Sequence, residues 1–214
     1  MESSPRSMKI VASSVSVIAL LASADALGQH CFWSHFDREV PYSNSGIWSP
    51  NSYRSVMNAL SVAQIAGALW EGADSRFGRT EWQGMDSQLI AAVASDLGKE
   101  AFKRRRPSDG NDPCLWFQGG SNYSFPSGEA ASAAALVTPY ILEYGRDYPA
   151  AYALLAVPLY TGIGRIKNRA HWQSDVVAGW AVGGISGWYS SGRETPILVS
   201  ILPGGFTVGF RKSF

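Results

Sequence analysis

Hydrophobic residues recur at helical spacing along most of this chain. In the first such stretch Val62, Ile65 and Leu69 lie three or four positions apart, as they would on one face of an α-helix. Pro139 and Pro158 fall inside two later stretches of the same kind and predict a kink in each. The pattern predicts helices over residues 52–70, 84–105, 127–144, 147–165 and 172–190.

The remaining segments follow other patterns. Residues 108–126 are rich in Pro, Gly, Asn and Asp and predict a loop. Residues 27–51 have little periodicity and predict an irregular arm, whereas residues 191–214 hold two apolar runs around a Pro-Gly-Gly turn and predict a β-hairpin tail. Together with a leader at 1–26, this leaves a mostly α-helical domain, a helical bundle, over residues 52–190.

Glycine recurs every fourth residue in the last predicted helix, at Gly179, Gly183 and Gly187. These positions fall on one helical face and allow a neighbouring helix to approach closely. In a lipid-embedded helix the same spacing is typical of dimerisation. In this chain we favour tight packing inside the helical bundle.

The N-terminus predicts export. Two basic residues precede a short apolar run at 10–21, and Ala24 and Ala26 form the small-residue pattern of a signal peptide cleaved after Ala26, or after Gly28. The alternative is an N-terminal membrane anchor, for which the run is short. We therefore expect a periplasmic or secreted protein.

Two cysteines, Cys31 and Cys114, would remain after cleavage and enter an oxidising compartment. A disulfide between them would tie the arm to the loop at 108–126. The alternative is a pair of buried free thiols, because spacing alone does not establish a bridge.

Composition suits a single domain with a sizeable core, since 46% of the 214 residues are hydrophobic. The 18 basic and 17 acidic residues nearly cancel, which does not indicate a nucleic-acid partner. Any site for an anion must therefore come from local clusters of charge.

The first such cluster is 99-KEAFKRRRP-107. Lys99, Lys103 and Arg106 have the spacing i, i+4 and i+7, which predicts one shared helical face. A solvated basic patch is the simplest interpretation. The functional interpretation is an anion clamp, because a guanidinium grips phosphate oxygens as a fork and an ammonium adds a point charge.

Two further clusters suit the same anion. Ser127 and Gly128 open a predicted helix, whose free N–H groups and dipole attract anions, although Ser127 could be only a helix cap. Later, His171 and Asp175 are four residues apart, as on one helical face, with Arg165 nearby. A carboxylate that holds one imidazole nitrogen frees the other to attack, although a surface ion pair gives the same spacing.

Taken together, the three clusters resemble the type 2 phosphatidic acid phosphatase superfamily, which includes bacterial non-specific acid phosphatases and vanadium haloperoxidases. The resemblance spans residues 52–190. The motifs that carry it are Lys99-x6-Arg106-Pro107, Pro126-Ser127-Gly128 and Arg165-x5-His171-x3-Asp175.

The resemblance implies a phosphatase that needs no metal or other cofactor. His171 would be the nucleophile and form a phosphohistidine, and Asp175 would orient it and stabilise its charge. The residues implied to bind the phosphate oxygens are Lys99, Arg106, Ser127, Gly128 and Arg165.

Glu129 is the main departure from the family pattern, which has His after Pro-Ser-Gly as the general acid. The chain has only two histidines besides His171, at His30 and His35 in the arm. Beside a bound phosphate dianion a protonated Glu129 is favoured and could act as the acid. The alternatives are a substrate that needs little acid help, a non-catalytic site, or an ionised Glu129 paired with the basic run 103–105.

The expected function is hydrolysis of a phosphate monoester or diphosphate, on a small molecule or a lipid, with peripheral membrane contact for a lipid substrate. A phosphotransferase, a phosphate- or phospholipid-binding module without turnover, and a vanadate-dependent haloperoxidase are the alternatives. The last is disfavoured because Glu129 replaces the imidazole that serves the oxidation chemistry.

Overall fold

Five α-helices run through residues 31–193, the part of the chain that the computed structural model describes. None of the described residues forms a strand. The predicted leader and nearly all of the predicted β-hairpin fall outside the described residues. The α-helices are α1 (Pro50–Glu71), α2 (Arg76–Phe102), α3 (Gly128–Tyr144), α4 (Ala156–Lys167) and α5 (Gln173–Ser191). Two short 3₁₀ helices precede α1, one lies between α2 and α3, and one lies between α3 and α4. In chain order they are Phe32–His35, Gly46–Trp48, Pro107–Asp109 and Pro149–Leu155.

Helix α2 differs from its prediction at both ends. It begins after Ser75, whose hydroxyl accepts the N–H of Gly78, eight residues before the predicted start. It ends at Phe102 because Lys103 adopts a left-handed conformation with φ of 42°. The prediction that Lys99, Lys103 and Arg106 share a helical face was therefore wrong, since only the first lies in the helix.

The helix predicted over 147–165 is split in two. Residues Pro149–Leu155 form a 3₁₀ helix, and α4 follows from Ala156. Pro158 lies in the first turn of α4, where its missing N–H costs little because the first N–H groups of a helix have no intrahelical partner. Pro158 therefore sits at the helix start rather than at a kink inside a longer helix.

The glycine stripe of α5 packs against α3, as expected. A Cβ at Gly179 would lie 2.5 Å from the carbonyl oxygen of Ser127, and one at Gly183 would overlap the backbone of Ala131. Small residues also form the core beneath, where Ala91 and Ala135 are fully buried. The close contact of α3 and α5 places the first turns of both helices side by side.

Alanine at Gly183 is therefore expected to lower the free energy of unfolding by about 1–3 kcal/mol, as overpacking a tight contact does. The neighbouring Gly184 is a matched control, because nothing lies within 4 Å of a Cβ built there. Gly184→Ala is expected to stabilise by about 0.5–1 kcal/mol through helix propensity. Chemical denaturation of both variants checks this, and equal effects would contradict the packing.

The apolar residues that reveal α1 and α2 in the sequence point outward. Val62, Trp70 and Leu97 are 65%, 84% and 66% exposed, whereas Glu81 and Asp86 of α2 are buried. No helix within residues 31–193 is both long and apolar enough to cross a membrane. The bundle thus has a polar and small-residue interior and an apolar exterior along these helices.

The arm is fastened to the bundle. A disulfide joins Cys31 to Cys114, in the loop before α3. Farther along, the carbonyl of Ser43 accepts a hydrogen bond from the Asn168 side chain at 2.7 Å. The backbone N–H of Ser43 donates to the carbonyl of Lys167. The arm therefore runs across the end of the bundle at which α3 and α5 begin.

Candidate active site

A cavity of about 440 Å³ opens at the end of the bundle where α2 ends and α3 begins. Six of the residues singled out in the sequence line it, together with Arg54, Ala92, Ser95 and Asp96. These six are Lys99, Arg106, Gly128, Glu129, Arg165 and His171. A smaller cavity of about 130 Å³, lined by Arg76 and Glu143, contains none of the predicted site residues.

The first turn of α3 forms one wall. Ser127 is fully buried, and its hydroxyl caps the helix by accepting the N–H of Ala130 at 3.4 Å. Gly128 has no side chain between the helix start and α2, and a Cβ there would lie 3.1 Å from the Lys99 ammonium. Glycine therefore allows that ammonium to lie against the helix start, where both favour an anion.

Arg106 and Arg165 face the same cavity. Arg106 is anchored through its two terminal nitrogens to the carbonyls of Ala170 and Tyr123, at 3.1 and 3.2 Å. Burial lowers the pKa of Arg106, and the like charge of Arg165 lowers it further. Two guanidiniums held close together repel each other, and a bound dianion would relieve that repulsion.

Arg165 has an unused donor. Its side chain is 9% exposed, and it donates to the Tyr53 hydroxyl at 3.1 Å and pairs with Glu129 at 3.1 Å. Its Nε is buried and has no hydrogen-bond partner among the described residues. A buried donor without a partner is costly, and an anion in the cavity would satisfy it.

His171 is held in one tautomer. Its Nδ1 lies 2.7 Å from the carbonyl oxygen of Ser124, which can only accept, so Nδ1 carries the proton and the neutral ring has its lone pair on Nε2. Burial lowers the pKa of His171 below its ordinary value of 6.5; Arg165 and Arg106 also lower it, and Asp175 opposes them. The neutral ring is the form that can attack phosphorus.

Asp175 lies behind His171 rather than beside it on a helical face, because α5 begins only at Gln173. One of its oxygens accepts from the Ser124 hydroxyl and the Trp172 N–H and lies 3.8 Å from His171 Nδ1, too far for a hydrogen bond. Burial acts to raise the pKa of Asp175, but Arg104, His171 and Ser124 hold it below its ordinary value. Asp175 therefore acts on His171 by charge, and through Ser124 by position.

The sequence profile of the PAP2 superfamily matches residues 87–193, half of the chain, from within α2 to just past the end of α5. The chain belongs to the PAP2 superfamily. This confirms the resemblance seen in the motifs, and the mostly helical fold agrees with it.

Curated relatives of this PAP2 chain include three proteins named lipid A 1-phosphatase. The one from Porphyromonas gingivalis is 42% identical over 149 residues, which is 68% of this chain and 31% of the relative. Those from Rhizobium johnstonii and Rhizobium etli are 30% and 31% identical over 143 residues, which is 64% of this chain and 52% and 55% of theirs. The chain thus spans between 31% and 55% of the length of these relatives.

A solved structure is also similar, the crystal structure of Aquifex aeolicus LpxE. It is 22% identical, with a TM-score of 0.45, and the match covers 66% of this chain and 93% of that one.

Glu129 of this PAP2 site is held between two arginines. Arg54 of α1 donates to one carboxylate oxygen through Nε at 3.0 Å and a terminal nitrogen at 2.9 Å, and Arg165 pairs with the other oxygen. The sequence-based alternative of pairing with residues 103–105 was wrong, because Lys103 pairs with Glu100 and Arg104 is buried with other carboxylates.

Several site residues carry no motif that would reveal them. Arg54 lies in α1, 75 positions from the carboxylate that it binds. Ser95 lines the cavity one turn before Lys99, with a buried hydroxyl that has no partner among the described residues. Helical spacing from Lys99 would have placed Ser95 in the cavity, but no sequence signal identifies Arg54.

Proposed function

We propose that this PAP2 protein hydrolyses a phosphate ester of a lipid-linked substrate through a phosphohistidine on His171. The observation that carries the proposal is the position of His171, which shares a cavity with Lys99, Arg106 and Arg165 and keeps its lone pair on Nε2. A nucleophile beside several cations suits transfer of a phosphoryl group.

In the first step His171 Nε2 forms a bond to phosphorus while the bond from phosphorus to the leaving oxygen breaks. The cations neutralise the negative charge on the three remaining phosphoryl oxygens. One of these oxygens would accept a hydrogen bond from the Nε of Arg165, which has no partner among the described residues. In the second step water attacks phosphorus, the P–N bond breaks, and inorganic phosphate leaves.

The leaving oxygen needs a proton, and Glu129 is our candidate for the donor. In the free site Arg54 and Arg165 both pair with its carboxylate. A phosphate group that binds Arg165 separates it from Glu129 and adds negative charge beside the carboxyl. Both changes favour the protonated form of Glu129. Glu129 would then give its proton to the leaving oxygen and return to its arginines when phosphate departs.

The lipid part of the proposal is supported by the relatives and by the surface. The curated relatives are named for a lipid phosphatase. Large apolar side chains are exposed along α1 and α2, such as Leu69 at 61% and Val93 at 54%. Exposed apolar faces of this kind suit contact with acyl chains at a membrane surface.

The test uses two substrates that present the same alkyl phosphate monoester, one on a lipid in mixed micelles and one water-soluble. We expect faster hydrolysis of the lipid, with a lower KM, in wild type and no hydrolysis of either by His171→Ala. Faster turnover of the soluble ester would contradict the lipid assignment. Binding of the lipid without turnover would identify a binding module, and transfer to an added alcohol in place of water would identify a phosphotransferase.

The pH dependence of kcat/KM follows from the state of His171. Attack needs the neutral ring, and burial lowers the pKa of His171 below 6.5. We therefore expect the acid limb of the profile to lie below about pH 6.5, so that activity persists at mildly acid pH. An aryl phosphate, which needs little protonation of its leaving group, isolates this limb, and a midpoint above 7 would contradict the prediction.

A further inference from the structure

The arm carries a buried carboxylate that the reaction scheme does not use. Asp37 follows the first 3₁₀ helix, and its side chain is completely buried. One oxygen accepts the backbone N–H of Ser174 in the first turn of α5 at 2.8 Å, and the other accepts the Ser174 hydroxyl at 2.6 Å. Asp37 therefore binds the helix turn that also carries Asp175.

Arg104 joins Asp37 to Asp175. It belongs to the basic run of residues 103–106, yet it is fully buried, with its guanidinium 4.2 Å from the centre of the Trp116 ring. Its five N–H groups make five hydrogen bonds, which leaves none for a substrate. The acceptors are Asp37, Asp175, Ser174 and, twice, the carbonyl of Pro113.

The connection continues to the nucleophile. Arg104 holds one oxygen of Asp175, and the other accepts the hydroxyl of Ser124, whose carbonyl fixes the His171 ring. The backbone N–H of Ser124 in turn donates to the carbonyl of Arg104 at 3.0 Å. Arg104 therefore contacts both supports of His171, the carboxylate and the carbonyl-bearing residue.

The disulfide lies close to two of the groups that accept hydrogen bonds from Arg104, the Asp37 carboxylate and the Pro113 carbonyl. Cys31 lies six residues before Asp37, and Cys114 directly follows Pro113. The bridge thus couples the arm to the loop that supplies the Pro113 carbonyl. This arrangement ties the arm to the residues behind His171, although none of the arm's described residues lines the cavity.

We propose that Asp37 and Arg104 are positioning residues for His171, acting through Asp175 and Ser124. The proposal rests on the proposed role of His171 as nucleophile. Two carboxylates share one guanidinium, so the buried cluster keeps one negative charge that stabilises a protonated His171 ring. Without the charge of Asp37, Arg104 neutralises Asp175 more completely. The neutral form of the His171 ring is then favoured over the protonated form.

The pH dependence of His171 depends on charges from every element around it. Asp175 and the Asp37–Arg104 pair lie behind the ring, and the cations lie across the cavity. The charged groups that line the cavity with His171 are Arg54, Asp96, Lys99, Arg106, Glu129 and Arg165. None of these is altered by a substitution at Asp37, so a displaced acid limb reports the cluster behind the ring.

The first test variant is Asp37→Asn, and its matched control is Glu39→Gln. Glu39 is also an arm carboxylate, but it pairs with Arg169 at 3.6 Å and is 37% exposed. For Asp37→Asn we expect kcat to fall about 10–100-fold, the range seen when a residue that orients a functional side chain through hydrogen bonds is lost. We expect vanadate inhibition to be unchanged and the acid limb to move down by about half a pH unit. The control is expected to match wild type in all three measurements.

Arg104→Lys separates position from charge. Lysine keeps the positive charge but cannot reproduce the planar set of hydrogen bonds that the guanidinium makes. We therefore expect kcat to fall while the acid limb of the pH profile stays in place. A folded Asp37→Asn with wild-type kcat and acid limb would overturn the proposal. If Asp37→Asn does not fold, unchanged kcat in Arg104→Lys overturns it, and failure of both variants to fold assigns the pair to folding alone. Absence of phosphohistidine in wild type would instead refute the role of His171 itself.

Discussion

Replacing His171 with alanine is expected to abolish phosphatase activity, with kcat lower by about 10⁴-fold or more, because loss of a covalent nucleophile removes the reaction path. The cations of the cavity remain, so vanadate or phosphate is expected to bind still. Rapid quench with labelled substrate is expected to yield an acid-labile phosphoprotein in wild type and none in the variant.

Two further variants make this result interpretable. His171→Asn keeps an amide donor near Nδ1 for the Ser124 carbonyl, so it tests the nucleophile without leaving that buried acceptor empty. His35→Ala removes an exposed histidine of the arm and is expected to match wild type. Activity above a few per cent of wild type in a folded His171→Asn would contradict the phosphohistidine mechanism.

Replacing Glu129 with glutamine is expected to slow alkyl phosphates by about 10²–10⁴-fold, the range typical of a lost general acid. Glutamine keeps an oxygen for Arg54 but has no proton of suitable acidity to give. Aryl phosphates with good leaving groups need little protonation and are expected to change little. The ratio of the two rates is the measurement, because loss of folded protein lowers both equally.

Asp96→Asn is the matched control for that experiment. Asp96 lines the same cavity and pairs with Lys99 at 2.8 Å, but its side chain is 75% exposed. It is expected to leave the ratio unchanged. If Glu129→Gln slows both substrate types alike, or speeds both, Glu129 is not the acid. Faster turnover would mean that the carboxylate restrains Arg165 as an electrostatic brake.

The helices and the cavity walls could be read from the sequence because both depend on short-range patterns. Helical spacing places α1, α3 and α5 within two residues of their observed bounds. The motif residues Lys99, Gly128 and Arg165 each lie at or near a helix end, and packing of α3 against both α2 and α4 brings those ends together. The glycine stripe that allows α5 to pack on α3 is also visible in the sequence.

Which side of a helix faces inward was decided by the tertiary structure. The spacing of Val62, Ile65 and Leu69 reveals a stripe, and such a stripe is usually buried. Here it is exposed, because the residues that α1 buries against its neighbours are Tyr53, Gln64 and Ala68 instead. Periodicity identifies two different faces of a helix, but it does not state which medium each one meets.

The charges follow the same rule. Among consecutive basic residues nothing local distinguishes Arg104, which is fully buried, from Arg105, which is exposed. The partners of Arg104 are Asp37 and Asp175, 67 and 71 positions away, and the partner of Glu129 is Arg54, 75 positions away. The sequence by itself determined the helices and the chemistry of the motif residues. Only the tertiary structure decided which charges meet, because an ion pair depends on distance in space and not on separation along the chain.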